Sequence, residues 1–163
     1  MGAREIIAED LGYMSETVRQ LVRDSGFPGM KVLECACDSR EPSDYLPHRY
    51  TRDCVCYTGT HDNAPLGQWL EEAKPEDVAY AKEYLGLSQE EGQIWGVIRG
   101  GMGSVSDLFI AQMQDYLELG AEARMNFPGT LSNNNWTWRA QDGMITDALA
   151  HRIRELTRLF DRI

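Results

Sequence analysis

A chain of 163 residues, 42% apolar and 26% charged, is long enough for one core and has the composition of a soluble globular protein rather than a disordered one. Its net charge of -10 opposes phosphate backbones and anionic lipid, so neither nucleic acid nor a membrane surface is an expected partner. No apolar run approaches the roughly 20 residues of a bilayer span, and Met1-Gly2-Ala3-Arg4-Glu5 does not read as a signal peptide, which leaves a cytoplasmic location as the expectation.

Ile6 to Ala8 reads as a short strand, followed by a loop and by a helix that opens at Ser15 and Glu16 with Val18, Leu21 and Val22 on one face. Gly26 and Pro28 end that helix, and Met30 to Cys37 reads as a second strand, apolar enough to be covered on both faces. Residues 38 to 53 are polar, hold Pro42 and Pro47, and form a loop longer than a connection needs. Cys54 to Tyr57 is a third strand, ending in Thr58-Gly59-Thr60-His61-Asp62-Asn63. Helices are predicted from Leu66 to Glu71, from Pro75 with Val78, Ala81 and Leu85 in step, and from the capping box Ser88-x-x-Glu91. Gly100, Gly101 and Gly103 break the chain before a short helix that runs into a strand near Phe109 to Ala111. Arg124 to Arg139 is loop, and Leu149, Ile153, Leu156, Phe160 and Ile163 mark a final amphipathic helix.

The cysteines fall as Cys35-Ala36-Cys37 and Cys54-Val55-Cys56. Paired ligands for zinc are one reading of that spacing. Strand alternation is the preferred one, with each pair on one face as a small apolar filler and no disulfide.

Strands alternating with helices imply an α/β fold with a parallel sheet, open or barrel-like. Polar residues collect just after the strands, at Glu9, Asp38 and His61-Asp62, and the carboxyl ends of parallel strands are where sites form in such folds. Glu9 and Asp62 are carboxylates that a parallel sheet would bring together, and paired carboxylates at an anomeric centre are the basis of glycoside chemistry. The plainer reading of either one is a helix cap or a solvated surface group. His61 beside Asp62 adds a donor for a sugar hydroxyl or for the carboxylate itself.

Ala8-Glu9-Asp10-Leu11-Gly12, Pro28-Gly29-Met30-Lys31-Val32-Leu33, Tyr57-Thr58-Gly59-Thr60-His61-Asp62-Asn63 and Arg124-Met125-Asn126-Phe127-Pro128-Gly129 occur in order, with Tyr45-Leu46-Pro47-His48, Gln114-Asp115 and Asn135-Trp136-x-Trp138-Arg139 between and after them. Together they resemble the amylomaltase, or disproportionating-enzyme, family of 4-α-glucanotransferases over nearly the whole chain. The resemblance implies a TIM-type eight-stranded α/β barrel, of which residues 1 to 163 would be a single partial domain, the C-terminal half with strands five to eight. It implies Glu9 as general acid/base and Asp62 as the carboxylate that stabilises the transition state. His61, Asp38 and Asn126 would bind sugar, in a retaining transfer of α-1,4-glucan segments between maltooligosaccharides that needs no cofactor and no metal. Arg124 and Trp136 to Arg139 are expected to be mainly structural, Trp138 also being placed to stack on a sugar, and Trp69 and Trp95 to be packing.

In this family the nucleophilic aspartate follows the fourth strand in an Arg-x-Asp setting, and no counterpart is visible here. The isolated chain is therefore expected to lack the carboxylate that forms the glycosyl-enzyme, and to be inactive without the missing N-terminal half of the barrel. A half barrel exposes strand edges, so a homodimer through those edges is expected. A non-catalytic α-glucan-binding module and a related α-glucan hydrolase are the alternative functions.

Overall fold

The computed structural model describes residues 6–12, 14–40 and 43–163, so the expectations for Met1 to Glu5 and for Pro42 fall outside the described residues. Three short strands form one parallel sheet in the order β1 (Gly29–Val32), β2 (Cys54–Tyr57), β3 (Leu108–Ile110). Val55 stands beside Met30 on one side and Leu108 on the other, and Tyr57 beside Val32 and Ile110. The carboxyl ends of all three strands therefore face the same way, and the α/β fold with a parallel sheet is the one expected.

Two expected strands take another form. Met30 to Cys37 is not one strand: β1 stops at Val32, and Leu33–Ala36 coil into a 310 turn. The Glu34 N–H donates to the Thr58 carbonyl (3.2 Å), which curls the chain over the end of β2 and sends Leu33 and Ala36 into two different apolar clusters. In consequence Cys37 is buried while Cys35 is exposed, so that pair does not share a strand face. Ile6 to Ala8 forms no ladder either. A single backbone bond joins Ala8 N to Pro28 O (2.9 Å), and the next donor along, Met30 N, is taken by the Asp10 side chain (2.7 Å) in place of a strand's carbonyl.

Cys54, Val55 and Cys56 are all buried, as a strand covered on both faces requires, and Cys54 and Cys56 join Leu33, Tyr50, Leu66 and Ile98 in the main core. A smaller cluster holds Ala36, Cys37, Leu46 and Ala81, with Trp69, Tyr80 and Tyr84 against it.

α1 (Glu16–Ser25) opens where the sequence predicts, with the Ser15 hydroxyl accepting from Val18 N, and closes on left-handed Gly26. None of its residues is buried: Leu21 on its apolar side is 67% exposed. α2 (Leu66–Glu72) and α3 (Pro75–Leu85) also match expectation. The Ser88 hydroxyl does accept from Glu91 N (3.2 Å), but it caps a turn, because Gly92 at φ +92° intervenes and α4 (Gln93–Met102) begins only after it.

Gly100 and Gly101 do not break the chain; they lie inside α4. A Cβ on Gly101 would stand 2.3 Å from the Phe109 ring and 2.9 Å from Leu33, so the absence of a side chain is what lets α4 lie against the sheet. Ser104 to Asp107 then lead into β3 without the expected helix. A one-turn α5 (Met113–Tyr116) follows.

α6 (Asp147–Leu159) packs Leu149, Ile153 and Leu156 on the core, followed by Phe160, while Ile163 stays exposed. Arginines grip both ends of this segment. Arg152 lies over the Trp95 ring at 3.7 Å and donates to Glu91 O (3.0 Å). Arg162 donates to Met102 O (2.7 Å), Ser104 O (2.9 Å) and Ser106 O (3.1 Å). Trp69 and Trp95 are packing residues, as expected. Among the described residues no helix is long and apolar enough to cross a membrane.

Candidate functional site

Beyond β2 the chain has to leave the sheet without losing its hydrogen bonds. Thr58 N donates to Ile110 O (3.1 Å), and the buried Thr58 hydroxyl donates to Asp115 Oδ2 (2.5 Å). Asp115, also fully buried, accepts from Leu66 N (2.7 Å) with its other oxygen. One carboxylate thus pins both ends of the 59–65 loop, at the end of β2 and the start of α2. Burial pushes it up to about 6. Within the loop, Asn63 Oδ1 accepts from Thr60 N (2.9 Å) and the Thr60 hydroxyl (2.8 Å), and that turn holds His61 and Asp62 outward.

The loop after the last 310 turn closes on them. Asn126 Nδ2 donates to Asp62 Oδ1 (2.7 Å), and Arg124 donates to the main-chain oxygens of Asp62 (3.1 Å) and Asn126 (3.0 Å). His61 Nε2 stands 3.4 Å from Asp62 Oδ1, and the Trp136 ring lies against the His61 ring at 5.0 Å. Trp136 is 61% exposed, has φ +63° and donates its N–H to Met125 O (2.7 Å). Arg124 and Trp136, expected to be mainly structural, therefore touch the site residues directly.

Glu9 reaches the same place from the other side. The Asp10–Met30 bond fixes its segment against β1, where a Cβ on Gly29 would meet Asp10 Oδ2 at 2.5 Å. Glu9 and Asp62, the two carboxylates among its lining residues, face one cleft of about 410 Å³ with His61, Tyr57, Gly59, Thr60 and Gln112. The cleft lies at the carboxyl ends of the parallel strands, where a βα loop can present side chains without disturbing the ladder.

Asp38 is elsewhere. It lines an adjoining cleft of about 320 Å³ with Asp10, Lys31, Cys35 and Tyr45, Met30 forming the shared wall. Its carboxylate is held by the side chain and backbone N–H of Arg40, which keep it well below the usual carboxylate range. Asn126 meets Asp62 directly, and Asp38 belongs to a neighbouring pocket.

Under the floor of the main cleft sits a residue that no sequence motif marks. Glu34 Oε2 is buried with no hydrogen-bond partner, and burial, with the Asp115 charge adding to it, pushes Glu34 up to about 8. Its signal would have been a carboxylate inside an apolar run, Val32-Leu33-Glu34, had the run been read as a turn.

As for metals, the four cysteines are free, and among the described residues no three His, Cys, Asp or Glu side chains are grouped to hold an ion.

With this geometry in place, likeness to known proteins is specific. A family described as 4-alpha-glucanotransferase (glycosyl hydrolase family 77) matches residues 2–146. The chain is 48% identical over 163 residues to a 4-alpha-glucanotransferase of Clostridium butyricum, covering 99% of this chain and 33% of that protein. It is 38% identical over 169 residues to the one from Thermus thermophilus, covering 99% of this chain and 34% of that one. Among solved structures, an amylomaltase of Streptococcus agalactiae in complex with acarbose superposes with a TM-score of 0.90 at 36% identity, covering 95% of this chain and 31% of that one. The chain thus spans about a third of the length of the curated relatives it matches.

Proposed function

Because the chain belongs to the 4-alpha-glucanotransferase family, we propose that the Glu9–Asp62 cleft is the part of a glucan-transfer site that handles the scissile bond of an α-1,4-glucan. The observation that carries this is Asp62, held by Asn126 and flanked by His61, facing Glu9 across one cleft. Glu9 gives a proton to the leaving glucan's 4-oxygen and later removes one from the incoming 4-hydroxyl. Asp62 is the fixed negative charge for an oxocarbenium-like transition state, and Asn126, by donating to one of its oxygens, leaves the other free for sugar hydroxyls. His61 adds a polar contact to the same sugar, and Asp38 serves the next sugar along, in the adjoining cleft.

A retaining displacement also needs a nucleophilic carboxylate about 5 to 5.5 Å from the acid/base. Glu9 and Asp62 already have roles, and the nucleophile comes from sequence outside these 163 residues. In that reading β1, β2 and β3 are consecutive strands of a TIM-type barrel, with Ile6–Ala8 as the partial strand before them. Residues 1–163 form its C-terminal half as a single partial domain, whose exposed edges pair with the missing half or with a second copy in the cytoplasm.

The test is disproportionation of maltotriose by the chain alone and by the chain mixed with a polypeptide supplying the upstream region of the family. Glucose and longer maltodextrins should appear only in the mixture and vanish with Glu9→Gln. Turnover by the chain alone would overturn the assignment of the nucleophile. That only two carboxylates stand among the cleft's described lining residues also favours a second reading for the isolated chain, glucan binding without turnover. Calorimetry with maltoheptaose decides it: heat of binding supports it and none refutes it.

A further inference from the structure

Trp136 sits where its residue type is least at home. Its backbone is left-handed, at φ +63°, a conformation that crowds a bulky side chain and suits glycine. Its ring is 61% exposed, so burial does not hold it there. An indole kept in such a place points to a contact that the ring has to make.

Two contacts meet at this residue. The Trp136 N–H donates to the Met125 carbonyl (2.7 Å), one residue before Asn126. Its ring lies on the His61 imidazole, with the centroids 5.0 Å apart and the planes tilted by 40°. Asn135 locks the chain between them: its Oδ1 accepts from Phe127 N (3.1 Å), and its Nδ2 donates to Thr130 Oγ1 (3.1 Å). One closed loop therefore sets Asn126 and the indole at the same time.

Both ends of that loop act on a single oxygen. Asn126 Nδ2 donates to Asp62 Oδ1 (2.7 Å), and His61 Nε2 stands 3.4 Å from the same Oδ1. No described residue donates to Asp62 Oδ2. The His61 side chain is 56% exposed on its loop, and a lone imidazole there would move among the staggered rotamers, leaving Oδ1 in all but one of them.

We propose that Trp136 is a positioning residue for the Asp62 site: its ring holds the His61 imidazole in the orientation that puts Nε2 beside Asp62 Oδ1, the oxygen Asn126 already occupies, and so keeps Oδ2 open. A His61 ring without this brace samples other orientations, and each visit to Oδ2 takes away an acceptor for sugar hydroxyls. With the glucan-transfer reading supplying what Oδ2 meets, Trp136 preorganises a charge used in the transition state and itself touches no sugar.

The test has two arms. In the first, NMR of the full chain at one pH, with no glucan present, compares wild type, Trp136→Gly and Trp136→Phe, and His61 is assigned among the three histidines by its loss in His61→Gln. Glycine suits φ +63° and keeps the N–H to Met125, so Trp136→Gly removes the ring and spares the loop. The expected result is His61 χ1 couplings of a single rotamer in wild type and in Trp136→Phe. In Trp136→Gly the couplings average, and the ring-current displacement of the His61 ring protons is lost. In the second arm, Trp136→Gly lowers kcat on maltotriose in the complemented enzyme about 10-fold with KM within about twofold, and Trp136→Phe recovers most of it.

Averaged His61 couplings in wild type overturn the proposal without any variant. A single rotamer that survives in Trp136→Gly overturns it too, as does a rise in KM at unchanged kcat, the mark of a ring that stacks on sugar. The first arm decides the placement by itself. The glucan reading fails on a different result, absence of maltotriose turnover in the complemented wild-type enzyme.

Discussion

Asp115→Ala should be among the most damaging single truncations in this chain, for a reason that can be counted. The wild-type carboxylate accepts from the Thr58 hydroxyl and from Leu66 N, and Thr58, Leu66 and Asp115 are all fully buried or nearly so. Alanine removes both acceptors and leaves two donors in a dry environment. Each such orphan costs about 1–3 kcal/mol. Removing the desolvated charge returns part of this, so the net loss should be about 3 kcal/mol. Asp115→Asn keeps an oxygen for Leu66 N and sheds the charge, while its NH2 faces a hydroxyl that already accepts from Gln112 N (3.3 Å). The two changes nearly offset, and the cost should stay within about 1 kcal/mol. Urea unfolding at pH 7, followed by circular dichroism and extrapolated to water, measures both. Equal losses for Ala and Asn, or an alanine variant within about 1 kcal/mol of wild type, would show that Asp115 does not clamp the 59–65 loop.

Four further outcomes are expected. Gly101→Ala, which drives a methyl into Phe109 and Leu33, should cost about 3 kcal/mol and lower Tm by roughly 6–12 °C in calorimetry; an unchanged Tm would mean α4 has room to retreat. Asn126→Ala should reduce maltotriose turnover in the complemented enzyme by about 10–100-fold with stability within about 0.5 kcal/mol, since its bond to Asp62 is exposed; loss of fold instead of activity would contradict this. Glu34 and Asp115 both bind protons more tightly folded than unfolded, so their stability contribution is complete below about pH 4 and fades as pH rises to about 8. Urea midpoints should fall between pH 5 and 8, Glu34 alone accounting for at most about 5 kcal/mol, and Glu34→Gln should flatten that slope; a slope of the opposite sign refutes the assignment. Finally, light scattering after size exclusion should give about twice the 18.5 kDa chain mass, because β3 offers an open edge with Leu108 half exposed and α1 an uncovered apolar side; a clean monomer at high concentration counts against pairing.

Where local chemistry decides structure, the sequence was a sufficient guide. Ser15 and Gly26 bracket α1, Pro75 opens α3, and the 3.6-residue spacing of Leu149, Ile153, Leu156 and Phe160 lays α6 on the core. The structure departs from the local pattern where a partner distant in sequence makes the decision. Thr58 O turns Leu33–Ala36 out of the strand, the Asp10 side chain intercepts the ladder bond that Ile6–Ala8 would extend, and Phe109 converts Gly101 from a breaker into a packing surface. The site divides the same way. Glu9, His61 and Asp62 were legible because they follow apolar runs and sit in distinctive blocks. Glu34 sits in an apolar run that reads as strand, and the burial of Asp115 depends on Thr58 and Leu66, about fifty residues away in sequence.

The arginine grips on α6 bear on what evolution and engineering can alter. Every acceptor beneath Arg152 and Arg162 is a main-chain carbonyl, so these hydrogen bonds themselves do not depend on which side chains the supplying residues carry. The arginines themselves have no such latitude: spreading one head group over Met102, Ser104 and Ser106 requires a planar fork of donors that a lysine ammonium does not have.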